Sequence, residues 1–175
     1  MSVLIHSERL QLTEIKADQR QFVYDLFNDP DCIRFIGDRG IRSLADAQDY
    51  LEQKLIHSYQ QYGYGLFQVS LKDRDEALGI CGLVKRDADN PPDIGFAFLP
   101  EYRAQGYCSE AGEAVLNWAK KHAISDTILA YTNPDNVASI RVLEKLGLKK
   151  QTITTLPGQD FESLILVIDL SQHGK

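Results

Sequence analysis

Phe96-Ala97-Phe98-Leu99-Pro100-Glu101-Tyr102-Arg103-Ala104-Gln105-Gly106-Tyr107-Cys108-Ser109-Glu110-Ala111 is the junction around which the rest of the chain is arranged. Ile94 to Leu99 is almost unbroken apolar sequence of strand length, the pattern of a strand covered on both faces. Pro100 stops it. From Cys108 the apolar residues recur at Ala111, Val115 and Trp118, a helical spacing. That run ends in Lys120-Lys121-His122, cations suited to a helix C-terminus. Between strand and helix lies Arg103-Ala104-Gln105-Gly106, where a residue without a Cβ lets the backbone come close to a ligand. Amides left unpaired at a helix start, with the positive end of the dipole behind them, form an anion site. The same residues also describe an ordinary strand-to-helix turn, and a short glycine motif alone does not separate the two.

Length and composition narrow the classes. The 175 residues suit one domain, 1–175, with a single core. A net charge of −6 argues against non-specific nucleic-acid binding, which needs a basic face. The three cysteines, Cys32, Cys81 and Cys108, are widely spaced in apolar contexts and read as buried free thiols in a reducing compartment. Neither they nor His6, His57, His122 and His173 have metal-ligand spacing, so no metal is expected. Met1 to Leu12 alternates rather than forming a basic-then-apolar signal, and no long apolar span follows, which predicts a cytoplasmic protein with no membrane partner.

Outward from the junction, Arg9 to Thr13 alternates as a first strand. Asp18 is the expected cap of a helix with Phe22, Val23, Leu26 and Phe27 on one stripe. Cys32 to Ile36 reads as one more helical turn. Ser43 and Asp46 resemble a capping box ahead of a helix carrying Tyr50, Leu51, Leu55 and Tyr59, which stops near Gly63. Leu66 to Leu71 and Ala77 to Val84 form a hairpin by length and turn composition. After the long helix comes the strand Thr127 to Thr132. Strand, helix, strand here implies a parallel pair with a right-handed crossover. A second helix follows with Val137, Ile140, Leu143 and Leu146 on its buried face and Gly147 at its end. Leu148 to Thr155 and Phe161 to Leu170 close as a hairpin. The expectation is an α/β fold whose mixed, mostly antiparallel sheet holds one parallel pair and is flanked by helices.

This element order resembles the GNAT acyl-CoA N-acyltransferase fold, whose phosphate-binding motif is Gln or Arg, two residues, Gly, one residue, then Gly or Ala. Arg103 and Gly106 match it, while Cys108 stands where Gly or Ala is usual. Ser7-Glu8-Arg9-Leu10, Asn133-Pro134-Asp135-Asn136-Val137-Ala138-Ser139 and Glu144-Lys145-Leu146-Gly147-Leu148 are similar to the ribosomal-protein N-terminal acetyltransferase (RimJ/RimL-like) branch.

The resemblance implies acetyl-CoA as co-substrate and transfer of its acetyl group to a primary amine in a ternary complex. The acceptor so implied is a peptide or protein N-terminus. A small amine (polyamine, aminoglycoside or amino acid) is the alternative, and a non-catalytic acetyl-CoA-binding module is a third reading. By the same resemblance, the amides of Arg103, Ala104, Gln105, Gly106, Tyr107, Cys108 and Ser109 hold the diphosphate, with the Arg103 guanidinium as supplement. Arg141, Lys145, Lys149 and Lys150 are further cations that could assist, although any one of them reads more readily as solvated surface. Phe96, Ala97, Phe98 and Leu99 flank the pantetheine arm. Asn136 either bonds the cofactor or caps its helix. Asp93 is the candidate base, or a turn residue after Pro92. Many relatives protonate the leaving thiolate with a tyrosine where this chain has Leu143, so Ser139 is the candidate donor, or else a small residue of close approach. Cys108 is excluded as an acyl-carrying nucleophile because no His is near it in sequence. Ile33–Ile41 and Thr155–Asp160 would line the acceptor cleft. Their acids, Asp38 and Asp160, form no cluster to favour a polycation. Monomer and homodimer are both open.

Overall fold

The computed structural model describes residues 3–172, with side chains from Ile5 onward; His173 and the start of the alternating N-terminal run lie outside them. Strands β1 (Val3–His6) and β2 (Leu10–Thr13) lead into helices α1 (Arg20–Phe27), α2 (Pro30–Phe35) and α3 (Leu44–Tyr50). The last continues through a π-helical stretch, Leu51–Ile56, into α4 (His57–Tyr62). Then follow β3 (Leu66–Leu71), β4 (Ala77–Val84), β5 (Asp93–Phe98), a 3-10 turn at Pro100–Tyr102, α5 (Tyr107–Lys121) and β6 (Thr127–Thr132). The chain ends in α6 (Val137–Lys145), β7 (Lys149–Thr155) and β8 (Glu162–Asp169). All of these strands join one sheet in the order β1-β2-β3-β4-β5-β6-β8-β7. Every neighbouring pair is antiparallel except β5 and β6, the pair that α5 connects. The expected mixed sheet with one parallel pair is the one that forms.

Helices cover both faces. On one side α5 and α6 bury Ala111, Val115 and Leu143 against Phe67, Leu83 and Leu166 of the sheet. On the other, α1 to α3 bury Phe22, Leu26 and Ala47 against Ile80. Strand β5 divides its side chains between the two: Phe96 and Phe98 pack into the first core and Ala97, with Leu99 just beyond the strand, into the second. Burial on both faces is why its sequence shows a continuous apolar run instead of alternation.

Local corrections concern the ends of elements. Strand β1 precedes the first strand that the sequence predicts, and α1 starts after Gln19, not at an Asp18 cap, with no side-chain cap bond. Ser43 does cap α3, its Oγ accepting from the Asp46 N–H at 3.0 Å. The reciprocal arm is displaced by one residue, because the Asp46 carboxylate accepts from the Arg42 N–H at 2.9 Å. Leu99 lies just past β5. Helix α6 ends with the Leu148 N–H donating to the Leu143 carbonyl at 3.0 Å across Gly147, as its sequence predicts. Among the described residues no helix is long and apolar enough to cross a membrane.

Candidate active site

Strands β5 and β6 meet at a single register pair, Asp93 with Leu129. The Leu129 N–H donates to the Pro92 carbonyl at 3.0 Å, and beyond that point the strands part. Strand β5 keeps its ladder with β4 from Asp93 to Phe98. Its edge toward β6 is therefore left without a strand partner. A cleft of about 620 Å³ opens there, a size usual for small-molecule sites. A strand edge of this kind presents main-chain donors and acceptors to an extended ligand.

At one end of the cleft is the turn into α5. Gly106 precedes the helix with φ of +82°, a conformation that a Cβ disfavours. No side chain caps the helix, and the bond that closes its first turn runs from the Glu110 N–H to the Gly106 carbonyl at 3.1 Å, so the amides of Tyr107, Cys108 and Ser109 precede the helical ladder. Unpaired amides at a helix start, with the dipole behind them, are what a diphosphate requires. Behind this turn stands an arrangement the sequence did not announce. The Glu110 carboxylate in the first turn of α5 accepts from Ser7 Oγ (2.5 Å), the Arg9 amide (2.8 Å) and Arg9 Nε (2.6 Å). Arg9 Nη1 also donates to the Gln105 carbonyl at 3.1 Å, and its guanidinium lies 4.5 Å from the centre of the Tyr107 ring. Burial raises the Glu110 pKa, but the bonds from Ser7 and Arg9 outweigh it and the net shift is downward.

The guanidinium of Arg103 is not spare for an anion. Its Nη2 and Nη1 donate to Asp29 (2.5 Å) and Asp31 (3.0 Å), and its Nε donates to the Phe98 carbonyl (3.0 Å). The expected supplement to the cradle is corrected accordingly: this arginine ties α2 to the end of β5, and only its backbone belongs to the turn. Arg141, Lys145, Lys149 and Lys150 are all exposed. Of these, Lys145 borders a smaller hollow shared with Arg9 and Gly106.

Asp93 sits where β5 and β6 diverge, 3% exposed and lining the cleft. It accepts from Arg86 Nε at 2.9 Å and Nη2 at 3.2 Å, and Arg86 in turn lies 4.7 Å over the Tyr131 ring. Burial raises the Asp93 carboxyl to about 6, with the Arg86 charge and hydrogen bond opposing. Just before α6, Asn136 Oδ1 accepts from the Ser139 amide at 3.2 Å, a helix cap, and the residue lines the cleft. Ser139 Oγ accepts from Thr132 Oγ1 at 3.1 Å, which leaves its own proton for another acceptor. Leu143 is fully buried and carries no proton to give. Cys108 lines the cleft with its thiol pushed up to about 12 by burial, a neutral packing group, not a nucleophile. Of the predicted site residues, Leu99 and Gln105 do not line the cleft. Leu99 packs into the second core, and Gln105 turns its carbonyl to Arg9.

The far end of the cleft is walled by α1 to α3 and by the β7–β8 loop, through Phe27, Phe35, Tyr50, Leu156 and Phe161. Arg39 and Gln159 belong to the two loops expected to line the acceptor cleft, whereas Arg86 and Tyr131, which also line the cleft, lie outside those loops and carry no signal in the sequence.

Residues 9–149 match the family model described as an acetyltransferase (GNAT) domain. The chain belongs to the GNAT acetyltransferase family. It is an acetyl-CoA-dependent N-acetyltransferase. Among curated relatives, the uncharacterized N-acetyltransferase YnaD of Bacillus subtilis (strain 168) is 28% identical over 147 residues, 84% of this chain and 83% of that protein. A GNAT-family acetyltransferase from Bacillus anthracis superposes with a TM-score of 0.81 at 24% identity, covering 96% and 99% of the two chains. The ribosomal-protein-S5-alanine acetyltransferase from Vibrio fischeri gives 0.79 at 17%, over 99% and 100%. The aminoglycoside acetyltransferase AAC(6')-Ib, in complex with coenzyme A, gives 0.72 at 20%, over 91% and 94%. Likeness at these identities speaks for the fold, and the GNAT fold serves both kinds of acceptor. The unpaired amides beside Gly106 and the open edge of β5 fit a diphosphate joined to an extended arm.

Proposed function

We propose that this GNAT protein acetylates the α-amine at the N-terminus of a peptide or protein, with Asp93 as base and Ser139 as proton donor. Acetyl-CoA supplies an acetyl thioester, whose carbonyl an amine attacks directly. The amides of Ala104 to Ser109 would hold its diphosphate, the β6-facing edge of β5 its arm, and Asn136 Nδ2 a further polar group. Asp93, alone or through a water, takes the proton of the amine. Ser139 hands its own to the departing sulfur.

The observation that carries this choice of acceptor is the pairing of acids in the cleft. Its lining carboxylates, Asp31 and Asp93, are each bound by an arginine, Arg103 and Arg86. A polyamine or aminoglycoside brings several cations, and neither carboxylate is free to receive them. A base near pH 6 also suits an α-amine, pKa about 7.7–8.0, far better than a lysine-like amine near 10.4, whose deprotonation at neutral pH costs about 4–5 kcal/mol. The Ser7–Leu10 and Asn133–Leu148 motifs support membership of the RimJ/RimL-like branch, as does the likeness to the Vibrio fischeri enzyme.

Turnover with acetyl-CoA across a panel of short peptides, lysine side-chain analogues, polyamines and aminoglycosides, read by product mass, tests the reading. Acetylation confined to peptide N-termini is the expected result. Preferential modification of a polycation would overturn it.

A further inference from the structure

We propose that the far end of the cleft is an anion-reading subsite, so that the acceptor amine carries a carboxylate or phosphate recognised by Arg39. The proposal rests on the acetyl-transfer reading and adds the charge of the acceptor to it.

Three arginines line the cleft, and two are spoken for: Arg86 by Asp93, Arg103 by Asp29 and Asp31. Arg39 has no acid partner among the described residues. The nearest acid in sequence, Asp38, is taken by Arg42 through two bonds, one of them 2.9 Å. Asp160, on the facing loop, is exposed and does not line the cleft. The charge of Arg39 is felt inside the wall, where it opposes the upward shifts that burial imposes on the Cys32 thiol and the Tyr50 hydroxyl. An acidic chain of net charge −6 thus keeps, at the far end of its cleft, a guanidinium with no acid partner among the described residues. A planar fork of donors is suited to the two oxygens of a carboxylate or phosphate.

A second observation comes from the opposite lip. Gln159 lines the same cleft, and its Oε1 is buried without a hydrogen-bond partner among the described residues. Buried acceptors are rarely left unpaired. An N–H of the acceptor, whether ammonium or the first amide of a peptide, would satisfy it. A donor held by Gln159 and an anion held by Arg39, with aromatic walls at Phe35, Tyr50 and Phe161, describe an amine with an acidic group a few bonds away. Both an N-terminal peptide with an acidic residue near its start and a small amino acid have that chemistry.

Matched pairs test it: peptides differing only by Glu or Gln at the second residue, and a free amino acid against its amide. Each is measured by steady-state kinetics with acetyl-CoA and by calorimetric binding in the presence of coenzyme A. The anionic member of at least one pair should be favoured about tenfold in kcat/KM, mostly through KM, with the preference shrinking as salt rises. Arg39→Gln should reduce that ratio to within twofold and Arg39→Glu should invert it, both with coenzyme A affinity unchanged. Gln159→Leu should weaken both members of a pair alike. The pair that responds identifies the source, peptide or small molecule. Equal use of both members, or a preference that survives Arg39→Gln, overturns the subsite. If no amine is turned over, acetyl transfer fails as the reading, and the binding measurements decide the subsite by the same ratios.

Discussion

A base must be deprotonated to act, and burial raises the Asp93 carboxyl to about 6. With Asp93 as base, kcat/KM should rise with pH through about 6, and rise again as the α-amine itself titrates near 8. Asp93→Asn should lower kcat/KM by about a hundredfold and erase the limb near 6 while keeping the one near 8. A surviving lower limb would remove Asp93 from the chemistry. In the sequence, Gly106 and Asp93 are legible through their match to the GNAT pattern, and only the structure reveals that Asp93 is buried and paired with Arg86. Arg103 misleads because a guanidinium serves a phosphate and a carboxylate equally well, and its acids, Asp29 and Asp31, lie more than 70 residues away. Arg9 and Glu110, 101 residues apart, give no sign of their partnership either. Arg9 acts by position. Its ion pair with Glu110 is partly exposed, so Arg9→Ala should shift the melting temperature little. Freed from Arg9, the Gln105–Tyr107 turn should bind coenzyme A about fivefold more weakly, about 1 kcal/mol, as calorimetry would register.

At the scale of elements, periodicity revealed the long helices and the hairpins, and missed what periodicity does not encode. Strand β1 lies within the alternating run Met1 to Leu12, whose pattern does not mark where one strand stops and the next begins. The π-helical stretch at Leu51–Ile56 leaves the apolar spacing of Leu51, Leu55 and Tyr59 nearly unchanged, so the sequence reads as one plain helix. The parting of β5 from β6 has no sequence signal at all, since both are ordinary apolar strands. Strand β5 presents its free edge from a ladder with β4, and β4 in turn is held closely against the start of β3. A Cβ on Gly82 would lie 1.9 Å from the Gly65 carbonyl oxygen, which already accepts from the Leu83 N–H at 3.1 Å. Backbone cannot yield there without opening the β3–β4 ladder. Gly82→Ala should cost about 2–3 kcal/mol and lower the melting temperature by roughly 5–10 °C. Gly95→Ala, whose Cβ would meet only Leu66 Cδ2 at 3.4 Å, should stay within about 0.5 kcal/mol. Equal losses at the two positions in thermal denaturation would mean that glycine content, not β3–β4 contact, decides.

At the scale of the whole molecule, an acidic protein has to hold a polyanionic co-substrate. Long-range attraction is unavailable at a net charge of −6, so the grip must come from fixed local dipoles: the amides beside Gly106 and the α5 helix behind them. Such a grip binds the folded chain alone, because the turn that aligns those amides does not exist in the unfolded one. Coenzyme A at a hundred times its Kd should therefore add about 2.7 kcal/mol of stability, roughly 5–10 °C in melting temperature for a chain of this length. Gly106→Val forces a β-branched side chain into a left-handed conformation, at about 1–2 kcal/mol, and pushes a Cβ toward Arg9 Nη2, 3.2 Å away. The variant should still fold, since the space next to Gly106 is bounded only by the end of a flexible side chain. Its amides should no longer converge, and its melting temperature should no longer respond to coenzyme A. A full thermal shift in folded Gly106→Val would place the diphosphate elsewhere, and the cleft between β5 and β6 would then need another account of what anchors its ligand.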